Sequence, residues 1–244
     1  MNISMNELKA ALRRCFEASG YFVGNYEDAA NMVLWLEKHG LHGLRELKNT
    51  LPYVGEDLHK SLSNVIYEDS TSATIDAHGR SSLNCIASAV DLAHAKALES
   101  GIATVTVHNC HNRMFVLKAL TDRGRSGISA AAYWKNGSDN ITEHAAAIKS
   151  GHRYPSYSES SVQSVGNEDK QALTIICSSR VDVGLSLQDQ DSTIISPQQV
   201  ERNKNHCVEH GITICEKLWE DINVIGQGVL VENTERSRAD AGGQ

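Results

Sequence analysis

The feature that most restricts how this sequence can fold is the run from 74 to 137, in which strand, helix, strand, helix and strand signals alternate without a break. Residues 102–107 (IATVTV) are short and β-branched, bounded by Gly101 and by a polar HNCHN run, which is the pattern of a buried strand. Before them, Leu83, Ile86, Ala87, Val90, Ala93 and Ala97 recur at steps of three and four, so one face of the preceding helix is apolar. Ser100 and Gly101 end that helix, because glycine accepts the left-handed conformation of many helix ends. Val116, Leu117 and Leu120 open a second helical face that closes at Gly124 and Gly127. Residues 128–133 return to a strand, with Ala130, Ala131 and Ala132 small enough to lie close under a helix or a ligand. This alternation predicts a mixed α/β fold.

In an open α/β sheet, ligands lie just beyond the carboxyl ends of the strands. That rule puts His108, Asn109, Cys110, His111, Asn112 and Arg113 at the expected site, with Trp134, Lys135 and Asn136 at the end of the following strand.

The chain before this unit is helical. Ser4 and Glu7 form a capping box, and the helix they open carries Leu8, Leu12, Cys15 and Phe16 on one face. Asn25 is the expected cap of a second helix, with Ala29, Met32, Val33 and Leu36 inward and an end near His39-Gly40. Residues 41–62 then read as one or two short helices interrupted at Pro52, since proline disfavours a helical residue before it. Residues 1–65 are therefore a small helical region and 66–244 an α/β body.

Within the body, residues 138–168 are largely polar and rich in Ser and Tyr, which predicts a long loop. Residues 171–177 form a strand, and 181–187 are a further candidate. Ser196-Pro197 opens a helix, with serine at the cap and proline in the first turn. Ile212, Cys215, Leu218, Trp219 and Ile222 mark a last helix, followed by a short apolar segment at 228–231 and a polar tail.

Charge narrows the partners. The 23 basic and 30 acidic side chains leave a net charge of −7, and no basic tract stands out, so nucleic acid is not an expected partner. No apolar run reaches membrane-spanning length and the first residues lack the apolar core of a signal peptide, so a cytoplasmic location is expected. The six cysteines show no C-x-x-C spacing and are expected to be reduced and mostly packed inside. His39 with His42, His108 with His111 and Cys110, and His206 with His210 and Cys207 are close in sequence, but none completes a zinc-ligand pattern, so no metal is expected. Asp182, Asp189, Asp191, Glu201 and Glu209 read as a solvated face.

A resemblance adds to this reading. It rests on Gly40-Leu41-His42-Gly43-Leu44 at the end of the helical region, Ala73-Thr74-Ile75-Asp76, Ser100-Gly101-Ile102, and Asn109-Cys110-His111-Asn112-Arg113-Met114. In this order and spacing, residues 4–137 resemble the malate/L-lactate/ureidoglycolate dehydrogenases, nicotinamide-dependent oxidoreductases of non-Rossmann type. The whole chain is similar to a small uncharacterised bacterial family related to those dehydrogenases, through Trp35-Leu36-Glu37-Lys38-His39-Gly40-Leu41-His42-Gly43-Leu44 and a Ser237-Arg238-Ala239-Asp240-Ala241-Gly242 end. The smaller family brings no activity to carry over.

The dehydrogenase resemblance implies a truncated form of that fold, a homodimer, NAD or NADP as cofactor, and a small 2-oxo or 2-hydroxy acid, or a related imine, as substrate. It implies His42 and His111 as proton carriers, Arg45, Arg113 and Asn109 on the substrate, and Asn112, Trp134 and Asn136 against the cofactor. The departures weigh against turnover. Asn112 stands where the family has its catalytic histidine, with His111 one place out of register, and an amide exchanges no proton at neutral pH. Arg45 is one place closer to His42 than the family's arginine, and a Gly-Gly-x-Lys-Gly-like cofactor loop is missing from the second half. Three readings follow: a divergent dehydrogenase whose small-metabolite pocket is retained, a non-catalytic binding or partner protein on the same frame, and a His/Cys metal-binding protein.

Overall fold

The computed structural model describes residues 1–137, 141–162, 171–184 and 193–229. Its helices are α1 (Met5–Ala18), α2 (Asn25–Lys38), α3 (Gly43–Val54), α4 (Ile86–Ser100), α5 (Val116–Arg125), α6 (Pro197–His210) and α7 (Glu216–Gly226). Its strands are β1 (Asn2–Ile3), β2 (Asn64–Glu68), β3 (Ser72–Asp76), β4 (Ile102–His108), β5 (Ser129–Asn136), β6 (Ile141–Ile148), β7 (Ser156–Val162), β8 (Leu173–Ser178), β9 (Thr193–Ile195) and β10 (Ile212–Thr213). Eight of them form one mixed sheet in the order β2-β3-β4-β8-β5-β6-β7-β9, and β1 pairs with β10.

The central unit folds as its periodicity predicts. Ala103, Val105 and Val107 alternate inward along β4, and Ile86, Ala89, Val90, Ala93 and Ala97 give α4 its buried face. β3 and β4 run parallel, while β4 and β5 are each antiparallel to the intervening β8. The carboxyl ends of β3, β4 and β5 therefore lie on one edge of the sheet, and this brings the 108–113 loop beside Asn136.

The helical region packs on that body through apolar faces. Ser4 and Glu7 complete their capping box, with Glu7 N donating to Ser4 Oγ (3.2 Å) and Ser4 N donating to Glu7 Oε2 (2.8 Å). Leu8, Leu12 and Phe16 on α1 are fully buried, each worth about 1.5–3 kcal/mol relative to exposure. The later chain returns to this region: α7 packs on α1, and the N-terminal amine donates to Ile214 O (2.9 Å). Among the described residues, no helix is long and apolar enough to cross a membrane.

Several local expectations are corrected. The stretch 138–168 is not a long loop: 141–148 and 156–162 are the paired strands β6 and β7, whose Ser, Thr and Tyr side chains fill ladder positions between the same sheet's neighbours. Asn25 is the first residue of α2 and Gly24 its cap, without a side-chain hydrogen bond. Pro52 does not interrupt α3, which runs on to Val54 because Leu44, Leu47, Leu51 and Val54 bury one continuous face, at the cost of one hydrogen bond near the helix end. Of the candidate strand at 181–187, residues 181–184 are irregular and 185–187 lie outside the described residues, as do Asp189, Asp191 and the 237–242 end. Of the apolar segment at 228–231, only 228–229 are described, as part of a 3-10 turn.

Candidate functional site

His42 and Asn112, far apart in sequence, meet at one cavity in the same backbone conformation. Both are non-glycine residues in the left-handed region (φ 56° for each), and each precedes a helical turn. Such conformations are costly and persist where surrounding contacts over-determine them. For His42 the determinant is Gly43, where a Cβ would lie 2.2 Å from Val33 O, so that only glycine lets α3 begin this close to α2. The start of α3 is then capped from a distance, by Leu44 N donating to Glu37 Oε2 (2.9 Å).

For Asn112 the determinant is the loop after β3. His111 N donates to Arg80 O (3.1 Å), Ser82 N donates to His111 O (2.8 Å), and Ser82 Oγ donates to Asn112 O (2.6 Å). Asp57, almost fully buried, accepts from Ser81 N, Asn84 Nδ2 and Lys60 Nζ at 2.9 Å each, and locks the 77–84 loop in turn. The register of residues 111 and 112 is thereby set by three hydrogen bonds, and a shift of one place would break them together.

The cavity, of about 350 Å³, is lined by His42, Arg45, Glu46, Asn112, Arg113, Met114, Trp134 and Asn136, and by His144, Tyr157, Glu159 and Thr193 from the far half of the sheet. Six of the eight residues to which the resemblance gives a role are thus brought together: His42, Arg45, Asn112, Arg113, Trp134 and Asn136. Two are not. His111 faces a neighbouring cavity of about 330 Å³ with Tyr53, Asp57, Lys60 and Ser81, and Asn112 is the residue common to both. Asn109, itself at positive φ, donates from Nδ2 to Asp76 Oδ1 (3.0 Å) and lines neither cavity. Burial, with the charges of Lys60 and Arg113 acting the same way, holds the His111 imidazole below its ordinary pKa.

A line of hydrogen bonds crosses the cavity wall. Arg113 Nη2 donates to Lys135 O (3.0 Å) and to Asn136 Oδ1 (2.6 Å). Asn136 Nδ2 then faces His144 Nε2 at 3.0 Å, and His144 Nδ1 faces Tyr157 OH at 2.8 Å, whose hydroxyl donates to Glu159 Oε2 (2.9 Å). With an amide N–H directed at Nε2, that nitrogen accepts, so the proton of the neutral imidazole sits on Nδ1 and is donated to the tyrosine. Burial lowers the His144 pKa and raises that of Tyr157, the Glu159 carboxylate adding to the latter. The line runs from a guanidinium to a carboxylate through three groups kept uncharged.

Sheet register builds this line. Trp134 is directly opposite His144, and His144 opposite Glu159, so three adjacent strands place them in one row. The Trp134 ring stacks on His144 at 5.0 Å between centroids and 7° between planes, and both are largely buried. His144, Tyr157 and Glu159 escaped sequence reasoning because 138–168 reads as loop. The available signal was the spacing of Tyr157 and Glu159, which two residues apart share one face of any strand.

Among the described residues, no three His, Cys, Asp or Glu side chains converge as metal ligands. His206 and His210 instead stack on each other along α6, 4.3 Å apart.

Comparison with known proteins bears on the fold. A family model described as a protein of unknown function (DUF3726) matches residues 3–97. No curated protein sequence matches the chain. Among solved structures, malate dehydrogenase from Entamoeba histolytica is similar with a TM-score of 0.70 at 11% identity, over 93% of this chain and 97% of that one. Malate dehydrogenase from Pyrococcus horikoshii OT3 gives 0.69 at 12% identity, over 95% and 96% of the two chains. Delta1-piperideine-2-carboxylate reductase from Pseudomonas syringae pvar. tomato gives 0.61 at 12%, over 92% and 99%. At these identities the likeness speaks for architecture alone: the mixed sheet and its helices are those of the malate/lactate dehydrogenase-like fold.

Proposed function

We propose that this chain binds a small carboxylate-bearing metabolite, a 2-oxo or 2-hydroxy acid or a related imine, in the cavity between His42 and Glu159, without nicotinamide-dependent turnover. The observation that carries the reading is the convergence of Arg45, Arg113 and His42 on a cavity of about 350 Å³, a size suited to a small metabolite. Arg113 contributes a buried charge held by Lys135 O and Asn136, and Arg45, largely exposed with its Nε 3.9 Å from Glu46 Oε1, contributes a second whose guanidinium can meet a carboxylate as a fork. His42 and Asn112 offer hydrogen bonds to the remaining oxygens. On the far wall the neutral imidazole of His144 and the Tyr157 hydroxyl stand between the Glu159 carboxylate and the arginines, adding polar groups without charge of their own.

Two observations weigh against turnover. Asn112, locked in register, supplies an amide where proton transfer needs a titrating group, and His111 is held on the neighbouring cavity. A nicotinamide dinucleotide also fits the described residues poorly. Asn136 has its amide oxygen and nitrogen engaged by Arg113 and His144, and one face of Trp134 is covered by His144. The proposal includes the homodimer that the resemblance implies and the cytoplasmic location expected from the sequence.

Thermal unfolding of the purified chain tests the reading, because a ligand bound by the native state alone raises its stability. Pyruvate, oxaloacetate, lactate and malate at millimolar concentration are each compared with NADH and NADPH. A concentration-dependent rise with an acid, lost in Arg45→Ala, is the expected result. No rise with any acid overturns the binding reading, and steady NAD(P)H oxidation in the presence of a 2-oxo acid overturns the absence of turnover.

A further inference from the structure

An open recess of about 470 Å³ that shares no residue with the two cavities above lies between α2, α5, the turn between β6 and β7, and α6. Lys38, Lys118, Arg125, Arg153 and Lys204 line it, and no Asp or Glu does, in a chain whose net charge is −7. Lys118 is paired with Asp122. The other four have no ion-pair partner among the described residues. Helix dipoles account for two of them, since Lys38 and Arg125 lie in the last turns of α2 and α5, where a cation is favoured. Arg153, in a turn, and Lys204, in the middle of α6, have no such reason to be there.

The elements that carry these charges are held together by specific contacts. Asn203 Nδ2 donates to His39 O (3.0 Å), and Gly40, at φ +72°, would place a Cβ 2.4 Å from that nitrogen, so glycine is what allows α6 to bring Lys204 so near. Gly151 N donates to Gly124 O (2.9 Å) and Ser150 Oγ to Gly127 O (2.8 Å), which docks the turn bearing Arg153 on the end of α5 beside Arg125. The floor is aromatic: Trp35 stacks on His39 at 4.3 Å and Tyr154 lies tilted against His39 at 5.6 Å. The Trp35 indole N–H is buried there without an acceptor. Burial holds His39 down to about 4, and Lys38, Arg125 and Lys204 act on it in the same direction, so three charges from three helices bear on one point.

We infer that this cavity binds a small organic phosphate carrying two or more negative charges, its phosphate oxygens on Lys38, Arg125, Arg153 and Lys204 and a flat or apolar portion against Trp35 and Tyr154. Four unpaired cations around a space this small oppose one another, and a multiply charged anion relieves that repulsion while taking several charge-assisted hydrogen bonds. The cations ring a recess with an aromatic floor and do not form a stripe along an open face, which suits a compact ligand better than a nucleic acid strand.

The test is calorimetric titration of the full chain at low ionic strength with inorganic phosphate, pyrophosphate, AMP and ATP. ATP and pyrophosphate are expected to bind more tightly than AMP and phosphate, with affinity falling as salt is raised. Arg153→Glu and Lys204→Glu are each expected to weaken ATP binding by about tenfold or more, from the loss of a charge-assisted contact. Both side chains reach solvent, and Arg153→Ala with Lys204→Ala, checked by circular dichroism, provides a milder pair that keeps the fold. Loss of 2-oxo acid binding in Arg45→Ala with ATP binding intact separates this site from the one proposed above. No binding of ATP or pyrophosphate at millimolar concentration, equal affinity in all four variants, or tighter binding of a single-stranded oligonucleotide than of ATP would each overturn the assignment.

Discussion

Protonation of one buried histidine should control how this protein responds to acid. His39, at the end of α2, is 3% exposed, with Nδ1 2.6 Å from Trp35 O and its ring stacked on the Trp35 indole. Because a carbonyl only accepts, Nδ1 carries the proton of the neutral ring. Burial, with Lys38, Arg125 and Lys204 adding to it, lowers the pKa from 6.5 to about 4. Above pH 6.5 the imidazole is neutral in both the folded and the unfolded chain. Between 6.5 and about 4 the unfolded chain takes up a proton that the folded chain refuses, so stability is lost as pH falls and the loss is complete below about 4. At about 1.4 kcal/mol for each tenfold difference in proton affinity, the contribution is roughly 3 kcal/mol.

Burial also lowers the pKa of His94, His111 and His144, so the informative quantity is a difference. Urea unfolding of the wild type and of His39→Phe, which keeps an aromatic ring against Trp35 and cannot be protonated, is measured from pH 7.5 to pH 4. The variant is expected to be less stable at pH 7.5, having lost one hydrogen bond worth about 1 kcal/mol. Its stability should then decline by roughly 3 kcal/mol less than that of the wild type on acidification. Parallel curves for the two proteins would refute the reasoning, since His39 would then bind its proton equally in both states.

Two further outcomes are expected. Asn136→Leu removes the amide that links Arg113 to His144, leaving a buried guanidinium and an imidazole nitrogen short of a partner, and should cost about 2–4 kcal/mol in urea unfolding; a cost under about 0.5 kcal/mol would show that the line is not structural. Cys215 is the exposed thiol among the six, its pKa lowered by the Leu218 and Lys217 amides at the start of α7, so iodoacetamide on the native protein should label it first, and fast labelling of Cys15, Cys85, Cys110, Cys177 or Cys207 would contradict their burial.

The sequence alone is a good guide wherever a periodic apolar face coincides with a local stop signal. The Ser4–Glu7 box, the Ser196-Pro197 start and the α4-to-β4 passage through Gly101 follow from short-range chemistry, and each is found where the residues predict it. It is a poor guide to β6 and β7, since Ser, Thr and Tyr at alternate ladder positions have the composition of a loop until their neighbours in the sheet are known. The topological rule about strand ends identified four of the residues around the cavity, Asn112, Arg113, Trp134 and Asn136, because β4 and β5 point the same way whatever lies between them, and the resemblance added His42 and Arg45. Its far wall of His144, Tyr157 and Glu159 came from the strands that were misread.

What the residues determine by themselves is local: which faces are apolar, where helices begin, and that residue 112 is an asparagine where the resemblance calls for a histidine. Tertiary structure decided the rest. The bonds from Arg80 and Ser82 hold His111 and Asn112 in register, a constraint written some thirty residues away. Lys38, Arg125, Arg153 and Lys204 belong to four separate elements of an acidic chain with no basic tract, and they form a positive cavity only because Asn203 meets the turn at Gly40 and Gly151 meets the end of α5. Charge in a sequence is a sum, whereas the field in a cavity depends on distance, and distances between remote residues are set by packing.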